Sequence, residues 1–334
     1  MHLADILALR PVPAAGLLMA ITRRCPLTCA HCSTSSLMSS EQHPAEPFAR
    51  FVRTIEPGER PELIMLTGGE PLLRPRLVAA IAAAARRVGT RTMVLTGGFF
   101  APRVPAALDG IDHVSVSLDV FHERQVPRAD AFRLVRALSE RGTAVSFHVL
   151  GAGPGDPYLA DVVGAIRREF RDRVPVLVGR VRAAGRARAW APADERPAPA
   201  GPRPCTMAAW PTVSPDGTVA ACCNQDVLDR RPVPGHLRLG HVASDDWRSI
   251  RARCRTSPAL RAIRTGGPGW AAGRPDGGDC GVCRRLGAAG RTGPAAAYLE
   301  EQVVRAQTAA GPEGFVRRYG EAAFADLVTL GRDP

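Results

Sequence analysis

The chain has 334 residues, 45% of them hydrophobic, and its formal net charge is +12. This length accommodates one large domain and a smaller one, and no apolar run reaches the roughly 18 residues that predict a membrane helix. The segment Met1–Arg10 lacks the pattern of a secretory signal, so we expect a cytoplasmic protein. All 44 basic residues are arginines scattered along the chain, which does not favour nucleic-acid binding.

Short apolar runs follow one another through the first half of the chain, and each has the length of a buried strand. These predicted strands are Leu17–Thr22, Leu63–Thr67, Thr92–Thr96, His113–Leu118, Val145–Leu150 and Val174–Val178. Helical patterns lie between them at Leu77–Val88, Ala131–Arg141 and Leu159–Phe170. Alternation of strands and helices predicts an α/β fold with a parallel sheet, curled into a barrel or partial barrel.

The pattern changes in the second half of the chain. Ala191–Pro204 is rich in proline, alanine and charge, which indicates a linker, and Trp210–Ala221 predicts a hairpin that turns at Pro215-Asp216-Gly217. We expect Gly266–Gly278 to be irregular because it is rich in glycine and proline. The tail predicts two helices, Ala295–Ala309 and Glu313–Leu330.

Three cysteines, Cys25, Cys29 and Cys32, follow the first predicted strand in one short segment. Four cysteines saturate a [4Fe–4S] cluster, whereas three leave one iron open to an external ligand. A structural zinc ion is the alternative, but it needs a fourth ligand, and His31 is poorly spaced for a tetrahedral set. The CxxxCxxC spacing, with His31 before the last cysteine, resembles the radical S-adenosylmethionine (SAM) superfamily.

The resemblance extends from about Leu17 to Arg188 and implies a partial (βα)6 barrel. It also implies a [4Fe–4S] cluster on the three cysteines, with SAM bound to the open iron. In that family, reductive cleavage of SAM gives a 5′-deoxyadenosyl radical that abstracts hydrogen from the substrate. The cofactors supply this chemistry, and the protein positions them.

Further motifs fit SAM-binding positions of the family. Thr67-Gly68-Gly69-Glu70-Pro71 matches its GGEP motif, and its glycines allow a close backbone approach. Gly151–Gly155 and Gly179–Arg182 lie where the family contacts the adenine and the SAM carboxylate. The residues that the resemblance assigns to SAM are Gly68, Gly69, Glu70, Ser117, Asp119 and Arg182. We interpret His122 as a loop-surface histidine, with a role as a base or a substrate contact as the alternative.

A second group of cysteines lies downstream of the predicted linker. Its members are Cys205, Cys222, Cys280 and Cys283, which supply the four thiolates of a saturated [4Fe–4S] cluster. The Cys-x11-Gly-x4-Cys spacing and the final CxxC resemble the auxiliary-cluster region of radical SAM enzymes known as SPASM or twitch. No cysteine follows the CxxC, so one auxiliary cluster is expected, with a four-cysteine zinc site as the alternative.

Two cysteines remain outside both predicted centres. Cys223 adjoins Cys222, and the glycine spacing favours Cys222 as the ligand without settling the choice between them. Cys223 and Cys254 are interpreted either as inert thiols or as tentative hydrogen-atom donors to a substrate radical.

The predicted organisation has five parts. They are a lead-in (1–16), the radical SAM core (17–190), the linker (191–204), the auxiliary-cluster region (205–286) and a helical tail (287–334). We expect modification of a ribosomally made peptide by crosslinking, oxidation or epimerisation, with dehydrogenation or epimerisation of a sugar- or cyclitol-like intermediate as the alternative. A non-catalytic iron–sulfur or zinc protein is not favoured.

The expected partners follow from this chemistry. They are the substrate, an external reductant such as flavodoxin or ferredoxin, and a separate peptide-recognition protein, because only 24 residues precede Cys25. Neither a membrane nor a nucleic acid is expected as a partner.

Overall fold

A computed structural model describes most of the chain. The described residues are 1–100, 103–152, 155–192, 203–273, 279–286 and 296–309.

Six parallel strands form the first part of the sheet. They are β1 (Gly16–Thr22), β2 (Leu63–Gly68), β3 (Arg91–Thr96), β4 (His113–Ser117), β5 (Ala144–Gly151) and β6 (Val176–Arg180). Each pairs in parallel with the next along the chain. The six predicted strands and the α/β fold class with a partial barrel are therefore confirmed, with boundaries shifted by one or two residues.

Six helices accompany these strands, one before β1 and the others between the strands. They are α1 (Leu3–Ala8), α2 (Glu46–Arg53), α3 (Pro75–Arg87), α4 (Val120–Glu123), α5 (Arg128–Glu140) and α6 (Pro157–Phe170). Helix α2 was not predicted from the sequence, although Phe48, Phe51 and Val52 have helical spacing and are buried in the core. The three predicted helices correspond to α3, α5 and α6.

Strand β4 shows how the two faces of the sheet differ. Val114 and Val116 belong to the hydrophobic core that includes the helices. His113, which points to the opposite face, is completely buried and bonds through Nε2 to Ser146 Oγ at 2.8 Å and through Nδ1 to the Met1 carbonyl at 2.9 Å. Burial lowers the pKa of His113 to about 4, so the imidazole is neutral in this polar layer.

Three further strands extend the same sheet beyond β1. They are β7 (Thr212–Val213), β8 (Thr218–Ala220) and β9 (Arg238–His241). β7 pairs in parallel with β1, β8 is antiparallel to β7, and β9 is antiparallel to β8. The predicted hairpin is confirmed, and Gly217 in its turn has a φ of +90° that favours glycine. The hairpin therefore shares one continuous sheet with the barrel strands.

Helices follow the hairpin. They are α7 (Gln225–Leu228), α8 (Trp247–Thr256), α9 (Pro258–Gly266), α10 (Pro268–Ala272), α11 (Asp279–Arg285) and α12 (Ala296–Ala309). The prediction that Gly266–Gly278 is irregular is wrong for α10, which begins at Pro268 and ends where Gly273 adopts a left-handed conformation.

Other predictions for this half of the chain have mixed outcomes. Helix α12 confirms the first predicted tail helix. The second tail helix, Glu313–Leu330, and most of the predicted linker lie outside the described residues. None of the helices in the described ranges has both the length and the apolar character needed to cross a membrane.

Candidate active site

The predicted site residues follow successive strands at one edge of the sheet. The cysteine segment follows β1, the two glycines and Glu70 lie where β2 ends, and Asp119 follows β4. Because these strands are parallel, their carboxyl ends lie together, which is where ligands bind in barrels of this type. The fold therefore brings the separate motifs to one place.

The three cysteines of the first group lie in one small apolar cluster. Cys29 is buried with Leu27 and Val126, and Cys25 and Cys32 are half-buried against them. The aromatic side chains of this cluster are Phe99 and Phe121. The segment thus holds its thiols at the edge of the barrel in an apolar surrounding that limits water.

Arg186, which follows β6 in the chain, clamps the backbone of this cysteine segment. Its Nε donates to the Cys29 carbonyl at 2.9 Å, and its backbone N–H donates to the Cys32 carbonyl at 3.0 Å. The neighbouring Gly185 has a φ of +53°, and a Cβ there would lie 2.3 Å from the Cys32 carbonyl oxygen. Arg186 was not predicted from the sequence, because a hydrogen bond to a backbone carbonyl depends on no particular residue type in the partner.

The electrostatic surroundings of the thiols differ. Burial raises the pKa of Cys25 to about 11, and the nearby Glu70, Cys29 and Cys32 add to this effect. Burial also acts on Cys32, but hydrogen bonds from Thr34 and Ser36 and the charge of Arg186 outweigh it and lower its pKa. The three thiols are therefore close enough to influence one another's ionisation.

The two glycines at the end of β2 approach the backbone that enters the cysteine segment. Gly68 has a φ of +138°, and a Cβ there would lie 2.2 Å from the Thr22 carbonyl oxygen. A Cβ on Gly69 would lie 2.3 Å from the Arg24 carbonyl oxygen. Their backbone partners, and not only a ligand, thus account for the requirement for glycine.

Glu70 is buried, and both of its carboxylate oxygens have partners in the chain. Oε1 accepts from the Leu72 N–H at 3.0 Å, and Oε2 accepts from Thr96 Oγ1 and the Gly97 N–H, each at 2.9 Å. Burial raises its pKa to about 7 despite these bonds. The side chain joins the ends of β2 and β3 and adds negative potential near Cys25.

Asp119 is buried and bonds to two histidines. Its Oδ1 accepts from the backbone N–H groups of Phe121 and His122, at 3.0 and 3.1 Å. Its Oδ2 lies 2.9 Å from His122 Nδ1 and 3.3 Å from His31 Nε2. A carboxylate has about four acceptor positions, so a ribose hydroxyl would have to displace one of these partners.

His122 is not the loop-surface histidine that the sequence predicts. Its side chain is only 15% exposed. Burial alone would lower its pKa, but hydrogen bonds to Asp119 and Cys29 outweigh burial and raise it to about 10. The residue links the carboxylate after β4 to a cysteine of the loop after β1.

The remaining predicted SAM contacts have less definite surroundings. Ser117 is half-buried at the end of β4. Arg182 is exposed, and its charge acts on Cys223. Residues 153 and 154 of the predicted adenine contact lie outside the described residues.

His148, which we did not predict, is half-buried in β5. Burial lowers its pKa to about 4, and Asp119 lies within electrostatic range of its imidazole.

The first cysteine group fits a [4Fe–4S] cluster better than a single ion on three thiols. Zinc holds its sulfur ligands at about 2.3 Å, so they lie roughly 4 Å from one another. In the described parts of the chain, the only set of three potential ligand atoms within 4.8 Å of one another is Cys29, His31 and His122, and not the three cysteines. Nη2 of Arg186, beside the thiols, is also buried without a hydrogen-bond partner, which suits an anionic group.

The second group of cysteines comes from separate elements of the C-terminal half. Cys205 precedes a short 3-10 helix, Cys222 and Cys223 follow β8, and α11 carries Cys280 and Cys283. Burial raises the pKa of Cys205 to about 11, with contributions from Cys280 and Cys223. Burial also raises the pKa of Cys222 well above its usual value, with contributions from Cys223, Cys205 and Cys283. Each of the five thiols therefore lies within electrostatic range of at least one other thiol of the group.

Other side chains border this second group. Arg284, next to Cys283, pairs with Asp226 of α7, which also pairs with Arg188. His236, another residue that we did not predict, is buried with its Nε2 3.9 Å from the Cys283 sulfur. The region thus has the sulfur donors that a second centre requires, held by contacts to the barrel.

The two spare cysteines are placed differently. Cys254 is completely buried in α8, and its thiol donates to the Ala209 carbonyl at 3.3 Å. Cys223 is half-buried, and the charges of Arg10 and Arg182 act on it. The burial of Cys254 argues against a role as a hydrogen-atom donor, whereas the half-buried Cys223 remains a candidate donor.

Comparison with known proteins identifies the domain. Residues 19–165 match the family model of the radical SAM superfamily. This chain therefore carries a radical SAM domain, which implies a [4Fe–4S] cluster and SAM as cofactors.

The chain is similar to two curated relatives and to one solved structure. The PqqA peptide cyclase of Gluconobacter oxydans (strain 621H) is 29% identical over 185 residues, or 53% of this chain and 49% of that protein. The GTP 3′,8-cyclase of Geobacter sulfurreducens is 33% identical over 130 residues, or 36% of this chain and 37% of that protein. The alignments thus span about half or less of each relative's length.

The solved structure is Streptococcus suis SuiB bound to its precursor peptide SuiA. It is 13% identical to this chain, with a TM-score of 0.56 over 78% of this chain and 69% of that one. At this identity the likeness concerns the fold. It extends over more of the chain than the residues matched by the family model.

Proposed function

We propose that this protein is a radical SAM enzyme that modifies a ribosomally made peptide by crosslinking, oxidation or epimerisation. The observation that carries the proposal is the placement of Cys25, Cys29 and Cys32 beside the turn of Gly68 and Gly69, at the carboxyl edge of a parallel barrel. When bound, the cluster and SAM would supply a 5′-deoxyadenosyl radical for hydrogen abstraction.

The chain's own residues would prepare this site in three ways. The clamp by Arg186 fixes the backbone of the cysteine loop before the cofactors bind. The apolar side chains Leu27, Phe99 and Phe121 limit water around the thiols. The contacts of Glu70 hold the turn after β2 against the end of β3. They fix the positions of these two strand ends relative to each other.

A peptide substrate is supported by the relatives. One of them is a PqqA peptide cyclase, and the SuiB structure holds a precursor peptide. The second group of cysteines supports an auxiliary [4Fe–4S] cluster, which would accept an electron during an oxidation. Cys205, Cys280 and Cys283, together with Cys222 or Cys223, are its proposed ligands.

A small-molecule substrate is the second candidate. It is favoured by the likeness to a GTP 3′,8-cyclase, which extends over 130 residues. A dehydrogenation or epimerisation of a sugar- or cyclitol-like intermediate would use the same radical. The two candidates differ in whether a short precursor peptide is encoded next to this gene and becomes modified.

Anaerobic reconstitution tests the chemistry. We expect about eight irons per chain, from two [4Fe–4S] clusters, and reductant-dependent formation of 5′-deoxyadenosine from SAM. Flavodoxin or ferredoxin would serve as the physiological reductant. Changing Cys25, Cys29 and Cys32 together to Ala should abolish SAM cleavage and retain about half of the iron.

The matched control is the double change Cys280→Ala and Cys283→Ala. It should also lose about half of the iron, but it should still form 5′-deoxyadenosine. Persistent SAM cleavage in the triple variant would contradict the radical SAM assignment. With the wild type, a neighbouring precursor peptide that keeps its mass, takes up no deuterium during turnover in D₂O and keeps all-L residues, with or without an added recognition protein, would exclude the peptide candidate.

A further inference from the structure

The carboxylate of Asp119 orients two imidazoles toward one thiol. Its Oδ2 lies 2.9 Å from His122 Nδ1 and 3.3 Å from His31 Nε2. A ring nitrogen of each histidine and the Cys29 sulfur all lie within 4.8 Å of one another. This arrangement is separate from the spacing of the cysteines, because His122 comes from another strand end.

One ring nitrogen of each histidine faces away from Asp119, Nδ1 of His31 and Nε2 of His122. Nδ1 of His31 is buried without a hydrogen-bond partner, and the His122 imidazole hydrogen-bonds to Cys29, a contact that a metal bound to both residues would replace. The His31 side chain is 6% exposed, so water does not readily satisfy that nitrogen. Burying a nitrogen without a hydrogen-bond partner is unfavourable, and a bound cation would remove that cost.

The rings are also held in place by their neighbours. Phe121 stacks on His31, with ring centroids 4.5 Å apart and an angle of 20° between the planes. His122 meets His31 edge-on, with centroids 5.1 Å apart. A metal-binding histidine normally donates its other ring N–H to a carboxylate, and here one carboxylate serves both rings.

We propose that the chain without its cluster binds one divalent transition-metal ion through Cys29, His31 and His122. One thiolate and two imidazoles suit Zn²⁺ or Co²⁺, with a fourth position open to water. As the metal bonds form, the Cys29 thiol and the His122 imidazolium each lose one proton to solvent, and no electron is transferred. Because Cys29 can ligate only one centre, the ion and the [4Fe–4S] cluster exclude each other.

A Co²⁺ titration tests the proposal, since tetrahedral Co²⁺ bound to a thiolate has characteristic visible and near-ultraviolet absorption. The full chain would be stripped of iron by an anaerobic chelator, checked for folding by circular dichroism, and titrated with Co²⁺. The downstream cysteines also bind Co²⁺, so the measured quantity is the difference between variants. We expect the wild type to bind one more Co²⁺ than the Cys29→Ala variant.

Matched variants separate the ion from the cluster. Cys25→Ala and Cys32→Ala should keep the extra Co²⁺, although both should lose the cluster on reconstitution. His31→Phe, which keeps a ring to stack on Phe121, and His122→Ala should weaken the extra Co²⁺ binding at least 10-fold. Asp119→Asn should weaken it by about 10- to 100-fold, as is typical when the outer partner of a histidine ligand is lost.

Two results would overturn the proposal. One is loss of the extra Co²⁺ in Cys25→Ala or Cys32→Ala, which would place the ion on the cysteine loop. The other is unchanged Co²⁺ binding in both histidine variants. The Co²⁺ titration and the proposed function can fail separately, because SAM cleavage by the reconstituted wild type is measured without Co²⁺.

A competition measurement addresses the exclusion. In the Cys280→Ala and Cys283→Ala background, which removes two thiols of the downstream site, Zn²⁺ added before reconstitution should reduce the iron incorporated at the first centre. It should have a smaller effect on the His31→Phe variant, relative to the same variant without Zn²⁺. Equal effects of Zn²⁺ on the two proteins would show that the ion and the cluster do not compete for Cys29.

Discussion

In the first cysteine group the three thiols share one loop of eight residues, whereas the second group collects its thiols from segments between residues 205 and 283. The first loop is local in sequence but depends on a distant clamp, Arg186. The second group depends on the positions of a hairpin end and of α11. The comparison shows that close sequence spacing reveals which residues act together, but not what holds them in place.

The largest effect that tests this comparison is expected at Gly69. Gly69→Ala would place a Cβ 2.3 Å from the Arg24 carbonyl oxygen, which forces the backbone of the first cysteine loop to move. We expect a loss of about 3 kcal/mol in the free energy of unfolding and loss of the first cluster. The measurements are denaturant unfolding and iron content after reconstitution.

Gly235→Ala is the control for that prediction. No atom lies within 4 Å of a Cβ at Gly235, so stability and iron content should match the wild type. If Gly69→Ala lost iron from both centres equally, the two groups would not be independent. Retention of all the iron would show that the glycine turn does not position the loop.

The second prediction concerns His113 in the sheet that carries both cysteine groups. Unfolded His113 takes up a proton below about pH 6.5, whereas the folded residue stays neutral until about pH 4. Stability should therefore fall as the pH decreases, by up to about 1.4 kcal/mol for each pH unit in this window. Denaturant unfolding of the intact protein between pH 7 and pH 5 measures the slope.

His113→Gln should reduce that slope, since the titrating group is removed. His43→Gln, at a partly exposed histidine, should leave the slope as in the wild type. If the slopes of His113→Gln and wild type were equal, burial of His113 would not govern the acid sensitivity of the sheet.

The smallest effects are expected at the spare cysteines of the second region. Cys254→Ala should lower stability by about 1–2 kcal/mol, because it leaves a small cavity in the core, but product formation should stay unchanged. Cys223→Ala should alter the product only if Cys223 donates a hydrogen atom or ligates the cluster. Mass spectrometry of the product formed in D₂O, chiral analysis of its residues, and iron content after reconstitution distinguish these two roles.

Two outcomes would change the interpretation of the spare cysteines. Unaltered product and iron content in Cys223→Ala would leave Cys222 as the ligand and remove the donor hypothesis. A loss of product in a folded Cys254→Ala variant would show that its burial is not maintained during turnover.

The barrel was predictable because its strands are continuous apolar runs separated by helical patterns. The residues that complete the site carry weaker signals. Arg186 bonds to carbonyl oxygens, which every residue possesses. His122 has a role only because α4 begins directly after its N-cap residue Asp119 and turns the imidazole toward Cys29. Such contacts depend on tertiary structure that spacing alone does not determine.

Predictions for the second region were less complete for a related reason. The hairpin has a clear turn signal at Pro215-Asp216-Gly217, and the structure contains it. The sequence does not indicate that β7 would pair with β1, because strand partners far apart in the chain are not specified by local pattern. Helix α10 was missed because its proline and glycines mark the ends of a short helix as well as loops.

The pairing of β7 with β1 has a consequence for modularity. A protein cut at the predicted linker would leave β1 with an unpaired edge, and exposed strand edges promote association with other chains. The hairpin also contributes Val213 and Val219 to the same core as Leu17 of β1. The C-terminal region is therefore poorly suited to exchange as an independent unit, and in evolution its replacement would require compensating changes along β1.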